Sequence, residues 1–489
     1  MLYNAVGLYV SDNSNTLVNV EGNTYCVTIN DLIKGEYLPT TVYDSVTGEE
    51  ISNDNIIEIK VENNQYKYNM NNECVSVIAP TPEPEEEYVD NSGANKPLLL
   101  NNMIPIKYDG SNWIYADIKE EWYDYDKKEW ANAVVLNSDV NKNVGDTIAE
   151  TDIALWYVWI PRYTYTVFNG NNGSVDPLEI QIKFENGTNS NGTVECVDTV
   201  SGSGTSSEVC TDSTNGSVIN NVSTYTHPAF TFGGQELTGF WVGKFEISGS
   251  TSQITIKPNV SSLRNNNLAT FFTEIQNMNT IYSLNGDSHV IKNMEWGAVA
   301  YLSHSKYGTC TNGECVEVGT NNNSSYTTGC GATTKSSASS ICNEYNSKIG
   351  VLASTTQTVY GIYDMNGGAY ELVMGNMVSN SGNFNSNSSG FTNVIDEKYY
   401  DDYTYSYDYR IYQLGKLGDA TKESLKEFGS HVGGGWYDEY VDFPYNGYFW
   451  FLRSGYYYNT SISGIFCYHV TLANADSSYS TRAILVSNN

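Results

Sequence analysis

Apolar and polar residues alternate through NIIEIKVEN (55–63) and QYKYNMNNECVSVI (65–78), the period-two signature of two half-buried strands. Just before them, TYCVTINDLIKGEYL (24–38) predicts a short helix capped by Thr28 or Asn30 and ended by Gly35, and Val46-Thr47-Gly48 marks a turn. Further on, YDGSNWIYAD, EEWYDYDKKEWANAVVL and IALWYVWIPRYTYTVF are aromatic and β-branched runs bounded by turn residues, which predict strands between 108 and 168. Two stretches change to helical spacing. NNLATFFTEIQNM places Leu268, Phe271 or Phe272, Ile275 and Met278 on one face. IKNMEWGAVAYLSHSKYG predicts an amphipathic helix with Met294, Ala298, Tyr301, Leu302 and Ser305 on one face and Gly308 as its stop. The rest reads as short strands and Gly-rich turns, interrupted by an Asn/Gly/Ser-rich insertion (about 168–225), expected to be a decorated hairpin or partly mobile, and a Tyr/Asp-rich one (about 378–430). The predicted class is α+β.

The Pro- and Glu-rich stretch VIAPTPEPEEEYVDNSGANKP separates two units. We divide the chain into a small domain (1–78), an extended acidic linker (79–96) and a large domain (97–489), the last with an N-terminal extension (97–229) and a core (230–489). Of 489 residues, 25 are basic and 56 acidic, a net charge of −31 with no basic cluster. That balance makes nucleic acid and anionic membranes poor partners, and no nucleic-acid partner is expected. Abundant Tyr (40) and Gly (42) fit an exported recognition protein. No apolar run is long enough to span a bilayer, and the opening MLYNAVGLYVSDN reads as the cut end of a helix whose export and anchoring part is missing. Eight of nine cysteines have plausible partners: Cys26 with Cys74, Cys196 with Cys210, Cys310 with Cys315, Cys330 with Cys342. No Cys-x-x-Cys pair supports metal instead, so disulfides and an extracellular, cell-surface location are expected, with Cys467 left over.

The truncated helix ending in LYV, then CVTINDLIKGEYL, DSVTGEEI and a Cys-bearing last strand, resembles the globular half of a type IV pilin or pseudopilin, which implies pilus or pseudopilus subunits as partners. In the large domain, GFWVGKFEIS (239–248), NMEWGAVAYLSHSK (293–306), YGIYDMNGGAYELVMGN (360–376) and GGGWYDE…WFLRSGYYYN…GIFCYHV…STRAILV (433–486) follow one another. That order resembles the C-type-lectin-like fold of formylglycine-generating enzyme and its non-enzymatic relatives. The family's oxidase holds copper with two thiols near the C-terminus. Here Cys467 stands there alone, so we expect no catalysis of that kind. Glu246 and Glu371 read as structural carboxylates rather than a hydrolytic pair, His304 as a structural helix-end residue, and Gly433–Gly435 as close packing rather than a phosphate loop. No cofactor is expected. For NVIDEKYYDDY a solvated loop is the first reading and structural calcium the alternative.

In one branch of this fold the C-terminal segment is rewritten by diversity-generating retroelements, mostly at Asn codons, whose products exclude Lys, Glu, Gln, Trp and Met. None of these five occurs in 453–482. The resemblance implies a variable ligand-binding region in 431–489, held by Trp450, Arg453, Gly455, Gly464, Phe466 and Arg482. Its candidate contact residues are Tyr437, Tyr440, Asn446, Tyr448, Tyr457, Asn459, Ser461, Ser463, Cys467, His469, Thr471, Leu472 and Asn474. With four acids against two bases the region is nearly neutral on an acidic body. The expected protein is thus an adhesin-like minor or tip pilin that binds a protein or glycan on another cell or surface. The alternatives are a structural pilin or phage receptor-binding subunit, and a degenerate enzyme of the same fold.

Overall fold

The computed structural model describes residues 2–13, 24–44, 46–62, 65–71, 74, 87–170, 173–190, 194–200, 206–212, 224–408, 410–427, 429–459 and 461–487, the hairpin residues 194–200 and 206–212 by backbone only. The chain is α+β and mostly β, in two compact units, 1–86 and 87–489.

In the small unit, helix α1 (Leu2–Asp12) and helix α2 (Ile29–Lys34) cover a three-stranded antiparallel sheet, β1 (Thr24–Thr28), β2 (Ile56–Glu62) and β3 (Gln65–Met70). Thr28 and Asp31 form a capping box at the start of α2, and the Gly35 amide closes its end on Asp31 O and Ile33 O. Val6, Val27, Ile29, Leu32, Ile57 and Ile59 are fully buried in its core. Cys26–Cys74 ties β1 to the chain beyond β3.

The large unit begins earlier than the sequence implied. Residues 87–96, assigned to the linker, fold onto this unit. The Asp90 carboxylate accepts from Tyr125 N (2.8 Å), and Asn95 Nδ2 donates to Gly187 O (3.0 Å) and Thr238 O (2.9 Å). Residues 79–86 of that assignment lie outside the described residues, 87 being the first placed. The central sheet has eight antiparallel strands: β4 (Met103–Tyr108), β5 (Trp113–Tyr115), β6 (Asn132–Leu136), β7 (Thr147–Ile148), β8 (Ile153–Pro161), β9 (Gly239–Gly243), β10 (Gly286–Val290) and the last strand, β16 (Ala483–Ser487). Their order is β10-β16-β9-β8-β6-β4-β5-β7. The segment taken as an extension therefore supplies five of the eight strands. β8 is buried along its whole length, which explains a run of nine residues with almost no polar positions. The rest of the insertion carries an antiparallel hairpin, Val194–Val200 with Ser206–Asp212. Its register sets Cys196 opposite Cys210, whose side chains lie outside those described.

Helix α3 (Leu268–Ile281), capped by Asn267, buries the face read from its spacing. Helix α4 (Asn293–Ser303) differs from its reading as amphipathic. Every one of its residues is buried, and it stops five residues before Gly308, with His304 as its C-cap. Layers close over it from several sides: Tyr163 Oη donates to Ala298 O (2.7 Å), Tyr301 Oη to Glu423 Oε2 (2.8 Å), and Trp296 Nε1 to Ile465 O (2.7 Å).

A second sheet carries the C-terminal region: β11 (Tyr370–Met377), β12 (Asp401–Tyr403), β13 (Trp450–Ser454), β14 (Gly464–Thr471) and β15 (Tyr479–Ser480), in the order β12-β11-β13-β14 with β15 parallel to β11. The Tyr/Asp-rich insertion feeding it is buried in part. Leu417–Leu425 is entirely buried, because Glu423 accepts from Tyr165, Tyr301 and Gly418 N while Asp419 accepts from Tyr403, Thr421 and Lys416 N.

Candidate functional site

The C-terminal sheet is fixed from beneath by charged groups that the sequence placed in the framework. Arg482 is fully buried and bidentate to Glu371 (Nε–Oε2 3.2 Å, Nη2–Oε1 2.5 Å), with further bonds to Gly243 O (2.7 Å) and Tyr363 O (2.8 Å). Around it lie Asp364, held by Asn321 Nδ2 (2.8 Å) and Gly329 N (2.9 Å), and Glu246, which accepts from Ala369 N (2.8 Å). Burial pushes Glu371 up to about 7 against the pull of Arg482, and raises Glu246 further. These carboxylates join strands and turns. Arg453, on β13, lies under the same face with its guanidinium over the rings of Trp296 (5.6 Å) and Tyr468 (5.5 Å).

Above this floor a loop joins β13 to β14. Ser454 turns at a positive φ of 73°, with its hydroxyl bonded to Gly367 O (2.9 Å). Gly455 follows at φ 79°, where a side chain would press on Ser463. Tyr457 N then bonds Gly368 O (2.9 Å), which brings the 456–459 turn over β11.

The result is a continuous aromatic strip. His431 meets Tyr440 (centroids 5.5 Å), and Tyr440 stacks on His469 (3.9 Å, planes 6° apart). Tyr370 follows against His469 (5.0 Å), then Tyr456 (5.0 Å), Tyr457 (5.4 Å) and Tyr326 (4.8 Å), where the Arg264 guanidinium covers the last ring at 3.8 Å. Tyr370 Oη donates to Asn459 Oδ1 (2.9 Å), locking the loop to the strand. These tyrosines and both histidines are half-buried, and Tyr458 beside them is exposed. Burial pulls His469 down to about 3, so its ring is neutral at physiological pH, and its Nε2 has no hydrogen-bond partner among the described residues.

Of the candidates, Tyr440, Tyr457, Asn459 and His469 meet in this strip. Asn446, Tyr448, Ser461 and Asn474 are exposed, and Leu472 is half-buried. Three candidates are corrected, being buried. Ser463 donates to Asn366 Oδ1 (2.8 Å), Thr471 Oγ1 caps Ala473 N (3.0 Å), and Cys467 is a free thiol inside β14 whose ionisation burial strongly opposes. Tyr437 is not part of the strip; its hydroxyl pairs with His304 Nε2 (2.7 Å). Comparison with protein-family models and with curated proteins finds no match for this chain.

The sequence reading missed Tyr326, Tyr370, His431 and Tyr456. Tyr370 was recoverable: in YELV it alternates with Glu371, and an inward Glu371 requires an outward Tyr370. Tyr326 and His431 come from distant loops, and no local pattern marks them.

His304, Cys310 and Cys315 form one group of three ligating side chains, but the two sulfurs are joined as a disulfide and both His304 nitrogens face protein oxygens. In the stretch considered for calcium, Asp396, Asp401 and Asp402 accept from Lys398 N, Met294 N and Lys416 Nζ. Cys330–Cys342 is a third disulfide. These bonds point to an oxidising environment, and no helix among the described residues is long and apolar enough to cross a membrane.

Proposed function

We propose that the protein is a surface-displayed ligand-binding protein, an adhesin-like minor or tip pilin, whose C-terminal lectin-like face engages a protein or glycan on another cell or surface. The observation that carries this reading is the aromatic strip. Rings from several chain segments meet, half-exposed, on strands fixed by Arg453, Arg482 and Phe466. Tyr and His offer large amphipathic contact area at small entropic cost when already packed against one another. The order of motifs through 239–486 supports a head of the formylglycine-generating-enzyme type. In the small unit, the helix, the capped turn and the bridged last strand support a pilin-like base that joins pilus or pseudopilus subunits. Retroelement diversification fits the placement of Tyr440, Tyr457, Asn459, Ser461, Leu472 and Asn474 as outward positions between framework strands.

The test is adhesion of beads coated with the protein to a panel of bacterial and epithelial cells. Joint replacement Tyr440→Ala, Tyr457→Ala, Asn459→Ala and Ser461→Ala is expected to abolish adhesion. Absence of adhesion by the unaltered protein, or adhesion that survives the joint replacement, overturns the reading.

A further inference from the structure

A second concavity lies away from the C-terminal face. A cleft of about 760 Å³ opens where strands β4, β5 and β6 meet the 137–142 loop and the C-terminal end of α3. Its volume falls within the range of small-molecule sites, roughly 300–1,000 Å³.

The lining divides in two. Ile104, Val135 and Leu136 with the half-buried rings of Tyr115 and Tyr282 give an apolar and aromatic floor. Exposed amides and hydroxyls, among them Asn102, Ser138, Asn141 and Gln253, give a rim able both to donate and to accept. The walls are braced. Tyr282 Oη donates to Ile254 O (2.5 Å), Asn102 Nδ2 to Tyr282 O (3.0 Å), and Asn137 Nδ2 to Thr151 O (2.7 Å). Ser138, Asn141 and the Tyr115 hydroxyl have no hydrogen-bond partner among the described residues, so polar capacity on a rigid frame is left for a ligand.

Charge selects among ligands. The one cation among the described lining residues, Lys142, is paired with Asp152 at 2.8 Å and also donates to Thr147 O at 3.0 Å. Neither a phosphate nor a carboxylate would find a free positive partner, and the body carries a net charge of −31. Asp139 is the only acid among the described lining residues and is exposed, a poor partner for a desolvated cation. An uncharged ligand with many hydroxyls and apolar C–H faces matches both layers.

We infer that this cleft binds a short neutral oligosaccharide, with Tyr115 and Tyr282 beneath the sugar rings and Ser138 and Asn141 bonding their hydroxyls. The inference is independent of the C-terminal face. The probe is a glycan array holding neutral and acidic oligosaccharides, followed by calorimetry with the best neutral binder. The double variant Ser138→Ala, Asn141→Ala is expected to weaken that binding roughly tenfold or more, since each lost hydrogen bond is worth about one kcal/mol and 1.4 kcal/mol is tenfold. The variant Tyr440→Ala, Tyr457→Ala is expected to leave it unchanged. Recognition of no neutral glycan, preference for acidic ones, survival of binding in the Ser138/Asn141 variant, or its loss in the Tyr440/Tyr457 variant each overturns the assignment.

Discussion

Replacing Arg482 by Met tests whether the buried carboxylates beneath the C-terminal face govern the stability of the large unit. The side chain keeps its length and apolar stem but loses the bidentate pair with Glu371 and the bonds to Gly243 O and Tyr363 O. Glu371 has a folded-state pKa raised to about 7 even with Arg482 in place. A raised carboxylate holds its proton better in the folded protein than in the unfolded chain. Its contribution therefore falls as pH rises from the ordinary carboxylate value and levels off above the folded value. Without Arg482 the folded value moves higher still. Between pH 5 and about 6.5 Glu371 is mostly protonated in both proteins, and the penalty is that of the lost hydrogen bonds, about 1–3 kcal/mol. Above pH 7 the unaltered protein has stopped losing stability through this group. The variant continues to lose about 1.4 kcal/mol per pH unit, toward the roughly 3–5 kcal/mol of a broken buried pair. Urea unfolding followed by tryptophan fluorescence at pH 5, 7 and 8.5 measures this directly. A penalty that stays flat, or shrinks, above pH 7 refutes the reasoning.

Three further outcomes are expected. Denatured but unreduced protein should show one titratable thiol, Cys467, which iodoacetamide reaches only after unfolding; reaction in the folded state contradicts the burial of β14. Phe466→Ala, which empties contacts with Trp436 (4.9 Å) and His304 (5.5 Å), should cost about 3–5 kcal/mol by chemical denaturation, whereas Asn474→Ala, at an exposed position, should stay within about 0.5 kcal/mol. Gly464→Ala should lower the melting temperature, because its side chain would collide with the buried Glu439 carboxylate, an overpacking worth about 1–3 kcal/mol; an unchanged melting curve would mean that Glu439 has room to move.

Local patterns carried the fold where neighbours in sequence were also neighbours in space. The Thr28 cap, the alternation in β2 and β3 and the buried stripe of α3 all depend on residues within one element. Reading failed where distant segments close over an element. Helix α4 was taken as one-sided because Met294, Ala298 and Tyr301 share a face, yet its polar members are buried too: Glu295 pairs with His289 (3.0 Å) and Asn293 with Tyr403 (2.7 Å). The polar run at 417–425 carries no local mark of burial for the same reason, its partners Tyr165 and Tyr301 lying far away in the chain. At the site, composition marked the 431–489 stretch. It could not tell Cys467 from His469, two residues apart on β14, of which the first is buried and the second half-buried because of what distant segments lay over the strand.

Strand β16 sits between β9 and β10, so the central sheet is completed by residues that follow every position of the C-terminal face. During synthesis the large unit cannot close its main sheet until Ala483–Ser487 have cleared the ribosome. A stop codon or frameshift anywhere in 431–482 therefore removes a central strand as well as the face itself. Such a chain would present unpaired edges to chaperones and proteases and be cleared. The fold itself thus acts as a reading-frame check: only a chain read through in frame to Ser487 completes its central sheet.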